Sequence, residues 1–139
     1  MIIVDASVAV RWYARDAWTE LADALAERSD LTAPDLIVYE LSNALWKIAR
    51  AGSIPDVQAS DGLKRLPGAV DLVSAGRLAP RAFAIARILN HATYDCFYLA
   101  LSETLQAPFV TLDRELFNRT RGTPWAGLTT LLGGEPALT

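Results

Sequence analysis

Short runs of apolar, largely β-branched residues alternate along this chain with longer stretches whose apolar residues recur every three or four positions. That alternation limits the possible folds more than any other feature. Ile2-Ile3-Val4 has the composition of a strand buried on both faces. Further strand candidates are Leu31-Thr32-Ala33, stopped by Pro34, then Val70 to Val73, Phe109-Val110-Thr111, and Leu128 to Leu132. Helical spacing runs from Trp18 to Arg28, Asp35 to Ala51, Pro80 to Asn90 and Tyr94 to Gln106, with Thr93 placed as an N-cap. A helix opened by Pro55 and Asp56 should end near Leu66, where Pro67-Gly68 breaks it, and a short one should cover Asp113 to Arg119. Strands alternating with helices predict an α/β fold, a three-layer α/β/α sandwich around a central, mainly parallel sheet of four to five strands. The 139 residues fit one domain over 1–132, with 133–139 (Gly-Gly-Glu-Pro and beyond) a frayed tail.

Composition narrows the setting. No apolar run reaches the roughly 18 residues of a membrane span, and Met-Ile-Ile-Val at the start reads as a strand rather than a targeting signal. A single cysteine, Cys96, excludes an internal disulfide and fits a reducing cytoplasm. Net charge is −3, from 13 basic and 16 acidic residues, which argues against a generally basic nucleic-acid surface. Divalent ions shared among several acids would offset that balance, so net charge leaves the substrate open.

In open parallel sheets the ligand site lies beyond the carboxyl ends of the strands. Asp5 directly follows the first strand and Asp113 follows the strand at Phe109, while Asp95 stands in the first turn of a helix. Glu40 shares its helix with the apolar stripe Ile37, Leu41, Ala44, Leu45 and Ile48, and at about 100° per residue it falls at the stripe's margin with Asn43 and Lys47. Four carboxylates meeting at one sheet edge would repel one another without a cation between them, and Mg²⁺ or Mn²⁺ prefers such oxygens. Metal-bound water needs no nucleophilic side chain, which matches one His, one Cys and the lack of a Gly-rich phosphate loop or a Gly-x-Ser-x-Gly elbow. Taken singly, Asp5 also suits the N-cap of a helix beginning at Ser7, Asp113 another cap, and Asp95 simple helix-dipole electrostatics.

The same residues resemble the motifs of PIN-domain ribonucleases. Ile2-Ile3-Val4-Asp5-Ala6-Ser7 is similar to the opening motif, Tyr39 to Leu45 to a helical Glu-x-x-Asn motif, Thr93 to Leu101 to a Tyr-Asp-x-x-Tyr-Leu-Ala segment, and Phe109 to Asp113 to the last strand and acid. Length and wording are most similar to VapC-type toxins of toxin–antitoxin modules. The resemblance implies that Asp5, Glu40, Asp95 and Asp113 bind Mg²⁺ or Mn²⁺ and position a water, that Ser7 and Thr111 support them by hydrogen bonds, and that Asn43 orients Glu40 or a water. It further implies endonucleolytic RNA cleavage leaving a 5′-phosphate and a 3′-hydroxyl, a homodimer, and a cognate antitoxin inserted near the acids. Leu112 stands where a small residue is common, and Cys96 where Ala is common.

Trp46 lies opposite the apolar stripe of its helix beside Lys47, which suggests a partner surface for antitoxin or RNA, and Trp12 stands close enough after Asp5 to line the same groove. His91 suits a helix terminus better than chemistry, Cys96 a buried small hydrophobe, and Arg114, Arg119 and Arg121 either phosphate contacts or solvated charge. Two other functions remain open at this stage: an aspartate-based phosphatase, although Ser7 stands where that chemistry wants a second acid, and a catalytically silent PIN-like binding module.

Overall fold

Ile2–Val4, the first β-branched run, forms β1, and everything else in the molecule is arranged around it. The computed structural model describes residues 1–134. After β1 come α1 (Ala6–Tyr13), α2 (Thr19–Ala26), β2 (Leu31–Pro34), α3 (Leu36–Arg50), α4 (Asp56–Ala69) and β3 (Asp71–Val73). A single 3₁₀ turn (Gly76–Leu78) leads into α5 (Ala79–Leu89), followed by α6 (Thr93–Leu105), β4 (Phe109–Thr111), α7 (Arg114–Thr120) and β5 (Thr129–Leu131).

The five strands form one sheet in the order β3-β2-β1-β4-β5, all neighbours parallel. Ile2 pairs with Leu31 on one side of β1, and Ile3 with Phe109 on the other. The chain builds outward from β1 through β2 to β3, then returns to β4 on β1's other edge. The crevice between the carboxyl ends of β1 and β4 is therefore the topological switch point, where open α/β sheets place their ligands. Strands buried on both faces need apolar residues throughout, and Ile3, Val4, Ala33 and Phe109 are fully enclosed. Two helical groups flank the sheet, α1 to α4 packing together and α5 pairing with α6.

The departures from the sequence reading are local. Helix α1 occupies a stretch read only as an alternative, the helix that Asp5 would cap. Helix α4 runs through Pro67 and Gly68 to Ala69. A proline removes its own N–H from the ladder and crowds the carbonyl four residues earlier, a cost that packing can offset. Here Leu66 is completely buried and the Val70 N–H donates to its carbonyl at 3.1 Å, which holds the last turn closed. Thr93 is the first residue of α6 rather than its cap, which is Ala92 without a side-chain bond. Gly133 and Gly134 turn at positive φ, with the Gly134 N–H bonded to the Leu131 carbonyl. A Cβ at Gly133 would come within 2.9 Å of the Trp18 ring, so this part of the expected frayed tail is packed. The rest of it, 135–139, lies outside the described residues.

Candidate active site

β1 delivers Asp5 to the switch point, where the residue does two jobs at once. It caps α1, its Oδ1 accepting from the N–H groups of Ser7 at 3.1 Å and Val8 at 3.3 Å. It is also clamped by two hydroxyls: Ser7 donates to Oδ1 and Thr111 to Oδ2, each at 2.5 Å. Both hydroxyls then accept from the turn after β4, Ser7 from the Leu112 N–H at 2.9 Å and Thr111 from the Asp113 N–H at 3.0 Å. Ser7 and Thr111 thus tie Asp5 to the segment that carries Asp113. The capping role, one alternative in the sequence, is filled, and it leaves Asp5 at the switch point.

Glu40 is half-buried on α3, where the Tyr98 hydroxyl of α6 donates to its Oε1 at 2.6 Å. Tyr98 is itself enclosed, stacked on Phe109 with ring centres 5.6 Å apart, so the acid is held from the core side. On the same helix, Asp95 receives His91: Nε2 to Oδ2 is 2.6 Å. Asn90 closes α5 in the left-handed conformation (φ 50°), and the His91 N–H bonds the Ala86 carbonyl at 3.2 Å. That turn brings the imidazole over the first turn of α6.

The electrostatics centre on Asp95. Burial pushes the Asp5 carboxyl up to about 7, against the lowering effect of its hydrogen bonds to Ser7 and Thr111, and the charge of Asp95 adds to the rise. Glu40 is raised by burial and by the same neighbour, with Tyr98 opposing. Asp95 is raised chiefly by burial, offset by His91, with Asp113 and Glu115 repelling it. Asp5, Glu40 and Asp113 therefore all lie within the field of Asp95. They share a field rather than a ready-made cage: among the described residues, no three His, Cys, Asp or Glu side chains are grouped closely enough to hold an ion. Asp113 also caps α7, accepting from the Leu116 N–H at 3.0 Å.

Other sequence candidates are used differently. Asn43 is exposed and makes no bond to Glu40; Tyr98, which sequence reasoning quoted only as part of a motif, holds that acid instead. His91, assigned to a helix terminus, touches a site carboxylate. Trp12 is half-buried, its indole N–H donates to the Ala22 carbonyl at 2.7 Å, bracing α1 against α2, and the residue lines a depression with Tyr13, Pro55 and Arg65. Trp46 is 54% exposed with Arg50 lying 4.6 Å over its ring, and Lys47 beside it is exposed. Arg119 bonds the carbonyls of Leu89 and Asn90, and Arg121 those of Ala126 and Thr129, so both are fold braces. Cys96 is buried, its thiol pushed up to about 11 by desolvation.

Comparison with known proteins agrees with this fold. The family model described as "PIN domain" matches residues 2–122. The chain is 34% identical to Ribonuclease VapC3 of Pyrobaculum aerophilum, over 83% of this chain and 91% of that protein. It is 31% identical to Exonuclease VapC9 of the same organism, over 86% of each. A toxin–antitoxin complex from Klebsiella pneumoniae, at 12% identity, shares the fold with a TM-score of 0.67, covering 89% of this chain and 93% of that one.

Proposed function

The chain belongs to the PIN-domain family, and from that premise we propose that it is a metal-dependent endoribonuclease, the toxin of a toxin–antitoxin pair, with Asp5, Glu40, Asp95 and Asp113 as its catalytic acids. The observation that carries the reading is that Asp5 at the sheet's switch point, Glu40 and Asp113 all lie within the field of a fourth carboxylate, Asp95, with Asp5 and Glu40 lifted by burial and by Asp95's charge. Such a set is costly to ionise alone and is relieved by a cation. Its donors are all hard oxygens, which fits Mg²⁺ or Mn²⁺, and the carboxylates would close around the ion from their present spacing. Bound there, the ion supplies an activated water and offsets charge on the scissile phosphodiester.

The protein's own share is positioning. Ser7 and Thr111 fix both oxygens of Asp5, Tyr98 fixes Glu40 and His91 fixes Asp95, so three acids enter the reaction with their orientation already set. Asp113 adds charge from the mouth of α7. The toxin assignment rests on the resemblance to VapC proteins and on the fold shared with a solved toxin–antitoxin complex, and it brings with it a cognate antitoxin, a homodimer and a cytoplasmic setting. Among the described residues no helix is long and apolar enough to cross a membrane.

The test is purified chain on structured RNA with Mg²⁺, Mn²⁺ or EDTA. Cleavage should require the metal and vanish in Asp5→Asn; cleavage that survives that substitution sinks the site assignment. A circular RNA separates the two modes of attack: an endonuclease opens it, whereas an exonuclease, the activity named for one of the relatives, leaves it intact. A binding module that has kept its acids without turnover would cut nothing in any metal.

A further inference from the structure

Two tyrosines each immediately precede a site acid, Tyr39 before Glu40 and Tyr94 before Asp95, and both rings are turned to solvent, 71% and 65% exposed. They share one depression of about 290 Å³ with Leu36, Glu40 and Asn43. Most large aromatic rings of a folded chain bury their faces or find a polar partner for the hydroxyl. Among the described residues, neither of these stacks on another ring or makes a hydrogen bond, although Tyr98, one helical turn beyond Tyr94, does both. Asn43, exposed and without a side-chain hydrogen bond among the described residues, lines the same space and brings one donor group and one acceptor.

We infer that Tyr39 and Tyr94 form a stacking subsite for one unpaired nucleobase of the substrate, with the Asn43 amide at its edge and Glu40 on the side toward the reaction. This rests on the nuclease reading and adds to it a contact: one unpaired base of the substrate held beside Glu40 by these two rings. A planar ring between or upon tyrosine faces is bound without regard to its hydrogen-bond pattern. A base inside an A-form duplex has both faces covered by its neighbours, so only a loop, bulge or end can supply one. The chemistry of the depression also favours a base over a phosphate, because it holds a carboxylate and no basic side chain. Being continuous with Glu40, it would seat the nucleotide next to the bond that is cut.

Binding can be read without cleavage. A single-stranded oligoribonucleotide carrying 2-aminopurine at successive positions, its duplex, and a copy with an abasic residue at the responding position are titrated with full-length chain in Ca²⁺ and in EDTA. One position should be quenched in the single strand, with duplex and abasic strands bound about tenfold more weakly. Tyr39→Ala and Tyr94→Ala should each weaken binding by a similar factor, whereas Tyr39→Phe and Tyr94→Phe keep it, since the ring and not the hydroxyl makes the contact. Equal affinity for duplex and single strand, no quenching in either buffer, or Ala variants that bind RNA normally while losing a peptide partner would each overturn the proposal. Because catalysis is not the readout, a chain that stacks the base but never cuts refutes the nuclease reading alone. One that cuts RNA with both Ala variants unimpaired refutes the subsite alone.

Discussion

His91 and Asp95, four residues apart just after the left-handed turn at Asn90, are joined at 2.6 Å between Nε2 and Oδ2, and the imidazole is only 9% exposed. The pair fixes an acid that repels, or is repelled by, every other carboxylate of the site. His91→Ala should raise the Mg²⁺ concentration for half-maximal cleavage on the order of tenfold or more, the usual cost of losing a group that orients a metal ligand. His91→Gln, which keeps a donor at nearly the same reach, should recover most of it. Identical metal titration curves for wild type and His91→Ala would remove His91 from the site.

Asp5 makes the metal-free protein sensitive to pH in a defined direction. Its carboxyl sits at about 7 in the fold against an ordinary value of 3.8, so between those values the native state holds a proton that the unfolded chain has released. Stability contributed by this group therefore falls as pH rises from about 4 to 7 and is lowest above 7. Thermal unfolding in EDTA should show a lower midpoint at pH 8 than at pH 6, by several degrees. In Asp5→Asn that difference should shrink. Saturating Mg²⁺ should reverse it in the wild type by favouring the ionised form.

Asp113 has a cap to lose as well as a charge. Asp113→Ala should destabilise the fold by about 1 kcal/mol through the lost bond to the Leu116 N–H. Asp113→Asn keeps an acceptor there and should unfold within about 0.5 kcal/mol of wild type. If the carboxylate serves the metal, Asn will nevertheless cut RNA at least tenfold more slowly. An Asn variant with full activity would leave Asp113 as a cap only.

Trp46 presents its ring to solvent with Arg50 above it. Trp46→Ala should change unfolding free energy by no more than about 0.5 kcal/mol while weakening antitoxin binding by tenfold or more, since exposed tryptophans at interfaces often dominate the energy. Large destabilisation would show that the ring packs into the core after all.

The strands and most helices were legible because their patterns are unmixed: β-branched runs for β1 and β4, a clean apolar stripe for α3. Helix α1 was harder, because the side chains it buries, Val8, Ala9 and Val10, are consecutive, which resembles a strand more than a helix face. Pro67 misled for the opposite reason, since tertiary burial of Leu66 overrode a local breaker. The four candidate acids stood out by place: Asp5 and Asp113 after strands, Asp95 in a helix's first turn and Glu40 at the margin of an apolar stripe. What holds them was partly hidden. Ser7 and Thr111 were found, but Tyr98 and His91 were not assigned to the acids they hold, although both left a trace. Tyr98 lies one turn from Asp95 on the same face of α6, and its enclosed hydroxyl needed a polar partner. His91 lies four residues before Asp95, but only the left-handed turn at Asn90 makes that spacing a contact.

The clamp on Asp5 joins positions 106 residues apart, and the Tyr98 bond to Glu40 spans 58. In a chain still being synthesised, the first is not available until β4 has emerged and paired with β1, and the second not until α6 has emerged. A growing polypeptide thus carries its first acid from the fifth residue onward while lacking the partners that fix it. For an enzyme that attacks RNA, the long reach of these bonds delays a finished site until most of the chain has left the ribosome.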